Sequence, residues 1–536
     1  MNQPVLCQLD HLVVSPKGLF GFGWAVPRQS RITQAWLELW FADESTRRVA
    51  VSIERPREDV AAAFPDNPAA AQAGFMLLAG WPGERPLTAS LAFVVADGSH
   101  HTVPLDLPLA DTPRQRAGIG WRYLVGRAWA HVRLGRLQTA LQKYRELRRR
   151  SRADLASISE GDLTMALRGR SVTLILDHSM GGGAHAYRDR VIAELSASGV
   201  AVVLLTFTVS ALTLSLELHE RGQPTRAASC DTLGAVRKRL EGVRLQAITY
   251  NCGVSFPQGL EVCRFLHDLT LQSRAPLEIV IHDYYTVCPS AFLLDDQGVF
   301  CGVPDRARCR ECLPAQTDGF VSLAACDSID AWRDAWGSLL RAATGIRCFS
   351  ESSRRLLARA YPDLAARLTV RPHAVPHLAA VPRRPRTAAG PLVIGVIGSI
   401  SLHKGAVVVA DLARAIVAAG APVRIVVIGQ VDAACPADVV LQTGGYRREQ
   451  LPELVARHAI DLVLLPSICP ETFSFVAHET LAMGLPLVSL DLGAPADLAR
   501  SHPLGYVAAT ADGPGLLAEI LGFANSSCGQ FNEAGI

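Results

Sequence analysis

Gly395-Val396-Ile397-Gly398-Ser399-Ile400-Ser401-Leu402-His403-Lys404-Gly405 reads as a buried strand, a loop and the Lys-Gly opening of a helix. Ala406 to Ala419 continues that helix. Beyond it, Val423 to Gly429, Val439 to Thr443, Asp461 to Pro466 and Leu485 to Asp491 read as further strands, after a first at Leu392 to Gly398. Arg448 to His458 and Phe473 to Met483 read as helices between them. Apolar strands alternating with helices specify a parallel α/β sheet, because each crossover helix must cover a sheet face.

The same alternation runs upstream from Ser171. A strand at Ser171 to Leu176 precedes Gly181-Gly182-Gly183, placed where a phosphate-facing loop would lie; a helix over Tyr187 to Ser198 and a strand over Val200 to Phe207 follow. Ala247 to Tyr250 and Glu278 to His282 read as buried strands. A Pro-rich stretch from His373 to Pro391 separates the two sets as a linker. Two consecutive Rossmann-like domains predict a cleft with its ligand at the carboxyl ends of the strands.

The first 110 residues differ. Leu19 to Val26, Ala35 to Phe41, Val49 to Ile53 and Leu87 to Val95 are short apolar or alternating runs between Pro and Gly, with Asp59 to Ala73 reading as helical. A small β-sandwich is expected. Trp24, Trp36, Trp40 and Trp81 either pack its core or form a sugar-stacking platform. Thr112 to Arg152 holds twelve Lys or Arg and one acid, Glu146, with Trp121, Leu124, Val125, Trp129 and Val132 at helical spacing. One or two amphipathic helices are predicted over 112–168, their basic face turned either to an anionic membrane or to acidic surface between domains. The expected organisation is a sandwich over 1–110, a basic helical linker over 111–168, an acceptor-side α/β domain over 169–388 and a donor-side α/β domain over 389–536.

Composition bounds the class. The chain has 536 residues, 49% hydrophobic and 19% charged, enough for three or four domains. Its net charge of +3 points to no nucleic-acid partner, and no secretory leader is visible at Met1-Asn2-Gln3-Pro4. Gly199 to Leu216 is an uncharged run of eighteen residues, near a membrane span in length, but its Thr and Ser content suits two short strands joined by a turn. Thirteen mostly scattered cysteines fit a reducing cytoplasm.

The most specific signal is Pro466-Ser467-Ile468-Cys469-Pro470-Glu471-Thr472-Phe473-Ser474-Phe475-Val476-Ala477-His478-Glu479. A strand ends at Pro466, a loop carries Glu471, and a helix opening near Phe473 carries Glu479. Free backbone N–H groups at such a helix start favour a diphosphate. If the segment is helical the two acids stand roughly 12 Å apart, one for sugar hydroxyls and one for ribose.

This segment resembles the acid-(seven residues)-acid motif of family-4 glycosyltransferases, retaining enzymes of the two-Rossmann GT-B type, and the resemblance extends over roughly residues 170 to 520. It implies a nucleoside-diphosphate-sugar donor, with Glu471 at the donor sugar, Glu479 at the ribose, and amides near Phe473 and Ser474 at the diphosphate. Lys404 would stabilise the departing nucleoside diphosphate. His282, beside Asp283 at the end of a first-domain strand, corresponds to the family's histidine near the donor sugar, and Gly182 and Gly183 to its glycine loop. The family often carries an arginine where this chain has Ser399, so His403 or a backbone amide would take over that role. No metal is required for the chemistry.

Cys309 and Cys312 form a C-x-x-C half-site, and with Cys288 and Cys301 they offer four thiolates for a structural zinc. The implied acceptor is a surface polysaccharide or lipid-linked glycan, and the implied location is cytoplasmic, peripheral at the inner membrane face. A GT-B sugar-nucleotide epimerase and a non-catalytic sugar-nucleotide-binding module are the alternatives.

Overall fold

The computed structural model describes residues 5–107, 160–375, 378–381 and 390–530, apart from positions 29, 56 and 181. The basic segment from Thr112 to Arg152 lies outside the described residues. The chain forms two compact units, one of residues 1–280, 285–291 and 304–346, the other of residues 281–284, 292–303 and 347–536.

The first unit opens with eight antiparallel strands: β1 (Val5–Ser15), β2 (Gly18–Pro27), β3 (Ile32–Trp40), β4 (Thr46–Ala50), β5 (Ser52–Arg55), β6 (Gly74–Gly80), β7 (Thr88–Val95) and β8 (His100–Leu105). They make two sheets, β1-β2-β6-β5 and β4-β3-β7-β8. Alternate residues turn inward, so Leu19, Leu37, Phe75, Leu77, Leu91 and Phe93 share one core. Trp81 is wholly buried in it and Trp40 is exposed, while Trp24 and Trp36 are half-buried. The stretch expected to be helical divides into a short helix, Glu58–Ala63, and a 3-10 turn, Pro68–Gln72, with Pro65 between them.

The sandwich is seated on the α/β part of its own unit. Gly80 packs so closely on the Leu323 carbonyl that a Cβ there would overlap it. The Gln258 side chain donates to the Trp81 carbonyl, and Lys17 pairs with Glu261 at 3.2 Å.

That α/β part contains β9 (Ser171–His178), β10 (Ala201–Thr208), β11 (Thr213–Glu220), β12 (Gln223–Cys230), β13 (Arg244–Tyr250) and β14 (Leu277–Val280), in the spatial order β12-β11-β10-β9-β13-β14. β10, β9, β13 and β14 are parallel, and β11 and β12 add an antiparallel edge. The uncharged run from Gly199 is thus two strands with a 3-10 turn at Val209–Ala211. Among the described residues no helix is long and apolar enough to cross a membrane. Two short strands, β15 (Gly345–Cys348) and β16 (Leu368–Val370), come next in the chain.

The second unit is built on β17 (Leu392–Ile400), β18 (Val423–Val431), β19 (Val440–Gln442), β20 (Leu462–Leu465), β21 (Leu487–Leu490) and β22 (Gly505–Ala508), in the order β19-β18-β17-β20-β21-β22. Every neighbouring pair is parallel. Side chains alternate between two buried faces, which is why these strands are continuous apolar runs. Ile394, Val396, Ile425 and Val427 meet Val409, Leu412 and Ile416 of the helix Ala406–Ala419. Ile397, Ile428 and Val463 meet Leu451, Val455 and Met483 on the other face. Each such side chain contributes roughly 1.5–3 kcal/mol by leaving water.

Candidate functional site

In the second unit the chain leaves β17 to one side for β18 and β19, then returns to β17's other edge for β20. That reversal makes the gap between the carboxyl ends of β17 and β20 a topological switch point, the place where open parallel sheets bind ligands. The loops leaving those two strands are Ser401–Gly405 and Pro466–Ser474, the two stretches singled out in the sequence.

The loops are held together by backbone. The Ile468 N–H donates to the His403 carbonyl at 3.1 Å. Gly405 sits at φ +85° with its α-carbon against the Pro466 carbonyl, where any Cβ would overlap that oxygen. Lys404 is therefore fixed beside the end of β20 with its side chain exposed. Ser399 is also exposed, near the end of β17. His403 stacks on Phe292 with ring centroids 3.9 Å apart. Burial, with Lys404 adjacent, pulls its imidazole down to about 4, so at neutral pH it is uncharged. The positive charge of this turn is thus Lys404's alone.

Glu471 is half-buried, its carboxylate taking a hydrogen bond from the Ser467 hydroxyl. Its backbone is clamped from the other side by Gly493, at φ +64°, where a Cβ would come within 2.6 Å of the Glu471 nitrogen. The Ala494 N–H donates to the Glu471 carbonyl at 2.9 Å. Thr472 donates to the His282 carbonyl at 2.9 Å, so His282 belongs to this cluster. The His282 ring lies 4.7 Å from Phe349 and 5.6 Å from His373, and His373 lies 4.8 Å from Phe473. His282 falls in the segment that packs with the second unit rather than with the strand that precedes it.

The helix after Glu471 begins later than the sequence suggests, at Phe475, with Ser474 as N-cap accepting from the Ala477 N–H at 3.4 Å. Glu471, Thr472 and Phe473 are outside it, so the helical spacing of about 12 Å between the two acids does not apply. The cause is local, since Ser474 satisfies an orphan N–H more favourably as a cap than inside a helix. Glu479 is on this helix and only 5% exposed. Its carboxylate lies 2.6 Å from Nε of Arg448. Burial raises its pKa, and Arg448 works against that rise.

Elsewhere, Gly182 stands at φ +90° as N-cap of the helix Gly183–Ala197, at the carboxyl end of β9 in the first unit. Beside it Asp177, His178 and Cys252 bring their ligand-type atoms within 4.8 Å of one another, a group the sequence reading missed. Asp177 accepts from Arg188 at 3.2 Å and from the His178 N–H at 2.9 Å, while His178 Nδ1 accepts from the Met180 N–H at 3.0 Å. These bonds engage both Asp177 oxygens and one nitrogen of His178. The signal for it was present: an Asp-His pair at a strand end, immediately before a glycine loop.

The four cysteines expected to hold zinc are divided by the fold. Cys288, Cys309 and Cys312 all lie in the first unit. The Cys309 sulfur accepts from Arg333 at 3.4 Å, and Cys312 from Gln316 at 3.4 Å. Cys301 packs with the second unit.

With this geometry in hand, comparison with known proteins locates the relationship. Residues 391–525 match the family model for glycosyl transferases group 1. The matched span contains both switch-point loops, and Lys404, Glu471 and Glu479 all lie within it. Among solved structures, the chain is similar to HepE from Anabaena in complex with UDP and glucose, at 15% identity, covering 67% of this chain and 94% of that one with a TM-score of 0.40. It is also similar to the lipopolysaccharide outer core galactosyltransferase WaaB, at 12% identity over 67% and 90% of the two chains, TM-score 0.39. A glycosyltransferase from Rickettsia africae shares 10% identity over 68% and 89%, TM-score 0.41. No curated protein matches the chain.

Proposed function

We propose that this chain is a retaining glycosyltransferase that moves a sugar from a nucleoside-diphosphate donor to an acceptor hydroxyl. The observation that carries the proposal is the meeting of two loops at the β17–β20 switch point, inside the segment that matches a glycosyl transferases group 1 domain. Lys404 and the N-terminal amides of the helix Phe475–Ala482 supply positive potential for a diphosphate. Glu471, held by Ser467 and Gly493, orients the sugar, and Glu479 takes the ribose. His282 flanks the sugar from the Thr472 side, while Ser399 and Ser474 offer hydroxyls to the phosphates.

In the reaction the acceptor oxygen forms a bond to the anomeric carbon on the face from which the diphosphate leaves. The carbon–diphosphate bond breaks, and the acceptor proton passes to the leaving phosphate oxygen. Charge builds on the leaving group in the transition state, so Lys404 contributes most there. No metal is needed if Lys404 and the amides carry that charge. Gly182 and Gly183 are assigned to donor binding, as the resemblance implies. The acceptor is a surface polysaccharide or lipid-linked glycan, and the basic segment over 112–152 holds the protein at the cytoplasmic face of an anionic membrane.

The test is a panel of sugar nucleotides offered to the purified protein with and without glycan acceptors. Thermal shift reports binding, because a ligand of the folded state raises apparent stability. Diphosphate release that requires an acceptor, with the donor's anomeric configuration kept in the product, is the expected result. Release with donor alone would make the chain an epimerase. Binding with no release under any acceptor would make it a sensor, a reading favoured by Ser399 and the uncharged His403.

A further inference from the structure

Arg448 opens the 3-10 turn Arg448–Gln450 that follows β19, thirty-one residues before Glu479 in sequence. Its guanidinium reaches the Glu479 carboxylate at 2.6 Å and lies over the Phe475 ring at 5.8 Å. The contact is an ion pair off the N–H axis: Nε and Nη2 are buried without a hydrogen-bond acceptor among the described residues. Burying such donors is costly, and an apolar side chain of the same length would avoid the cost. The arrangement makes physical sense if the positive charge itself is what the position requires.

We propose that Arg448 is a positioning residue that keeps Glu479 ionised and aimed, so that its carboxylate can accept the hydroxyls of a nucleoside ribose. This rests on the assignment of Glu479 to the ribose given above. A buried carboxylate left alone takes up a proton, and a protonated acid has lost an acceptor site for the diol. Arg448 opposes that protonation from the turn after β19, and Tyr446 faces the same carboxylate from that turn. Burial pushes Tyr446 up to about 12, so it remains neutral and cannot replace the cation. Arg448 in turn is engaged through Nε at one carboxylate oxygen, Oε1. Under this proposal the second oxygen, Oε2, takes the ribose hydroxyls.

The experiment compares ADP, CDP, GDP and UDP, each against its 2′-deoxy form, by calorimetry between pH 6 and 9. The ratio of the two dissociation constants cancels the titration of the diphosphate. Wild type is expected to bind the ribo form about tenfold or more tightly, as a hydrogen bond to a charged group allows, with a ratio flat across this range. Arg448→Gln keeps a donor without the charge. Its ratio should fall to that of Glu479→Gln at pH 7 and recover as pH rises and Glu479 ionises. Arg448→Lys should retain most of the wild-type ratio, and Arg448→Gln with Glu479→Gln should lose no more than either alone. A melting curve on each variant confirms that it is folded, and the lysine variant carries the comparison if glutamine unfolds the unit. A wild-type ratio in Arg448→Gln at pH 7 overturns the role of Arg448 alone. A wild-type protein that binds no nucleoside diphosphate, or binds both forms equally, overturns the ribose assignment and this role with it.

Discussion

Gly405 and the carbonyl of Pro466 are in direct contact, so the turn carrying Lys404 rests on the strand end that launches the Glu471 loop. The contact requires two properties that only glycine combines: a left-handed backbone at φ +85° and no Cβ. Gly405→Ala must therefore move one loop away from the other. The left-handed conformation alone costs about 1–2 kcal/mol, and relief of the overlap adds to it. A drop of roughly 3 kcal/mol in denaturant unfolding, with loss of sugar-nucleotide binding, is expected. Unchanged affinity in this variant would mean that the two loops act independently.

Lys404 is exposed and Glu471 half-buried with one side-chain hydrogen bond, so neither is part of a core. Lys404→Ala and Glu471→Ala should melt within about a degree or two of wild type, since surface changes are usually within about 0.5 kcal/mol. Turnover should fall on the order of 100-fold in each, through lost charge stabilisation at Lys404 and lost orientation at Glu471. Full turnover in both variants would remove the donor site from this position.

Glu479 should behave differently from Lys404 and Glu471. It is 5% exposed and paired with Arg448. Glu479→Ala leaves a guanidinium with buried nitrogens and no counter-charge, costing about 1–3 kcal/mol after allowance for the solvent exposure of Arg448. The donor Michaelis constant should rise more than turnover falls, as expected for an interaction uniform along the reaction. Paired measurement of melting and kinetics separates the two effects.

Asp177 makes the first unit's stability pH-dependent in an unusual direction. Burial raises its pKa from 3.8 to about 7, against the pull of Asn251, Arg188 and the His178 N–H. Between these values the folded state binds more protons than the unfolded one. Stability then falls as pH rises from about 4 to 7, by up to about 1.4 kcal/mol per pH unit from this group. Asp177→Asn should flatten that slope in urea titrations run at pH 5, 6 and 7. An identical slope in the variant would show that Arg188 holds Asp177 ionised throughout.

The sandwich is expected to unfold together with the sheet it sits on. Gly80 abuts the Leu323 carbonyl, and Trp81 and Gln258 are joined across the same junction. Gly80→Leu forces the two surfaces apart and should lower the melting temperature of the first unit by several degrees, on the order of 1–3 kcal/mol. A variant that melts like wild type would point to a yielding junction and a sandwich able to move as a separate module.

Much of the architecture was legible in residues near one another in sequence. The apolar runs Leu392–Gly398 and Val423–Gly429 are the cores of β17 and β18, and the turn-punctuated runs of the first hundred residues are sandwich strands. Strand period, glycine placement and the strand-loop-helix order are local properties, so the sequence by itself determined two α/β sheets following an antiparallel domain, and the antiparallel edge of β11 and β12 on the first was decided by pairing. It also determined which loops leave β17 and β20. Which strands neighbour β17 was settled only by long-range pairing, and that pairing creates the switch point where the loops meet. The same holds for Arg448 against Glu479, Asp177 against Arg188, and His282 against Thr472 and Phe349. None of these pairs has a periodic signature, because a partner 11, 31 or 190 residues away is chosen by the folded packing and not by the spacing of the chain. Burial then set their chemistry: the same Glu or Asp on a solvated helix would be an ordinary carboxylate, and only enclosure makes its protonation depend on the neighbour it was given.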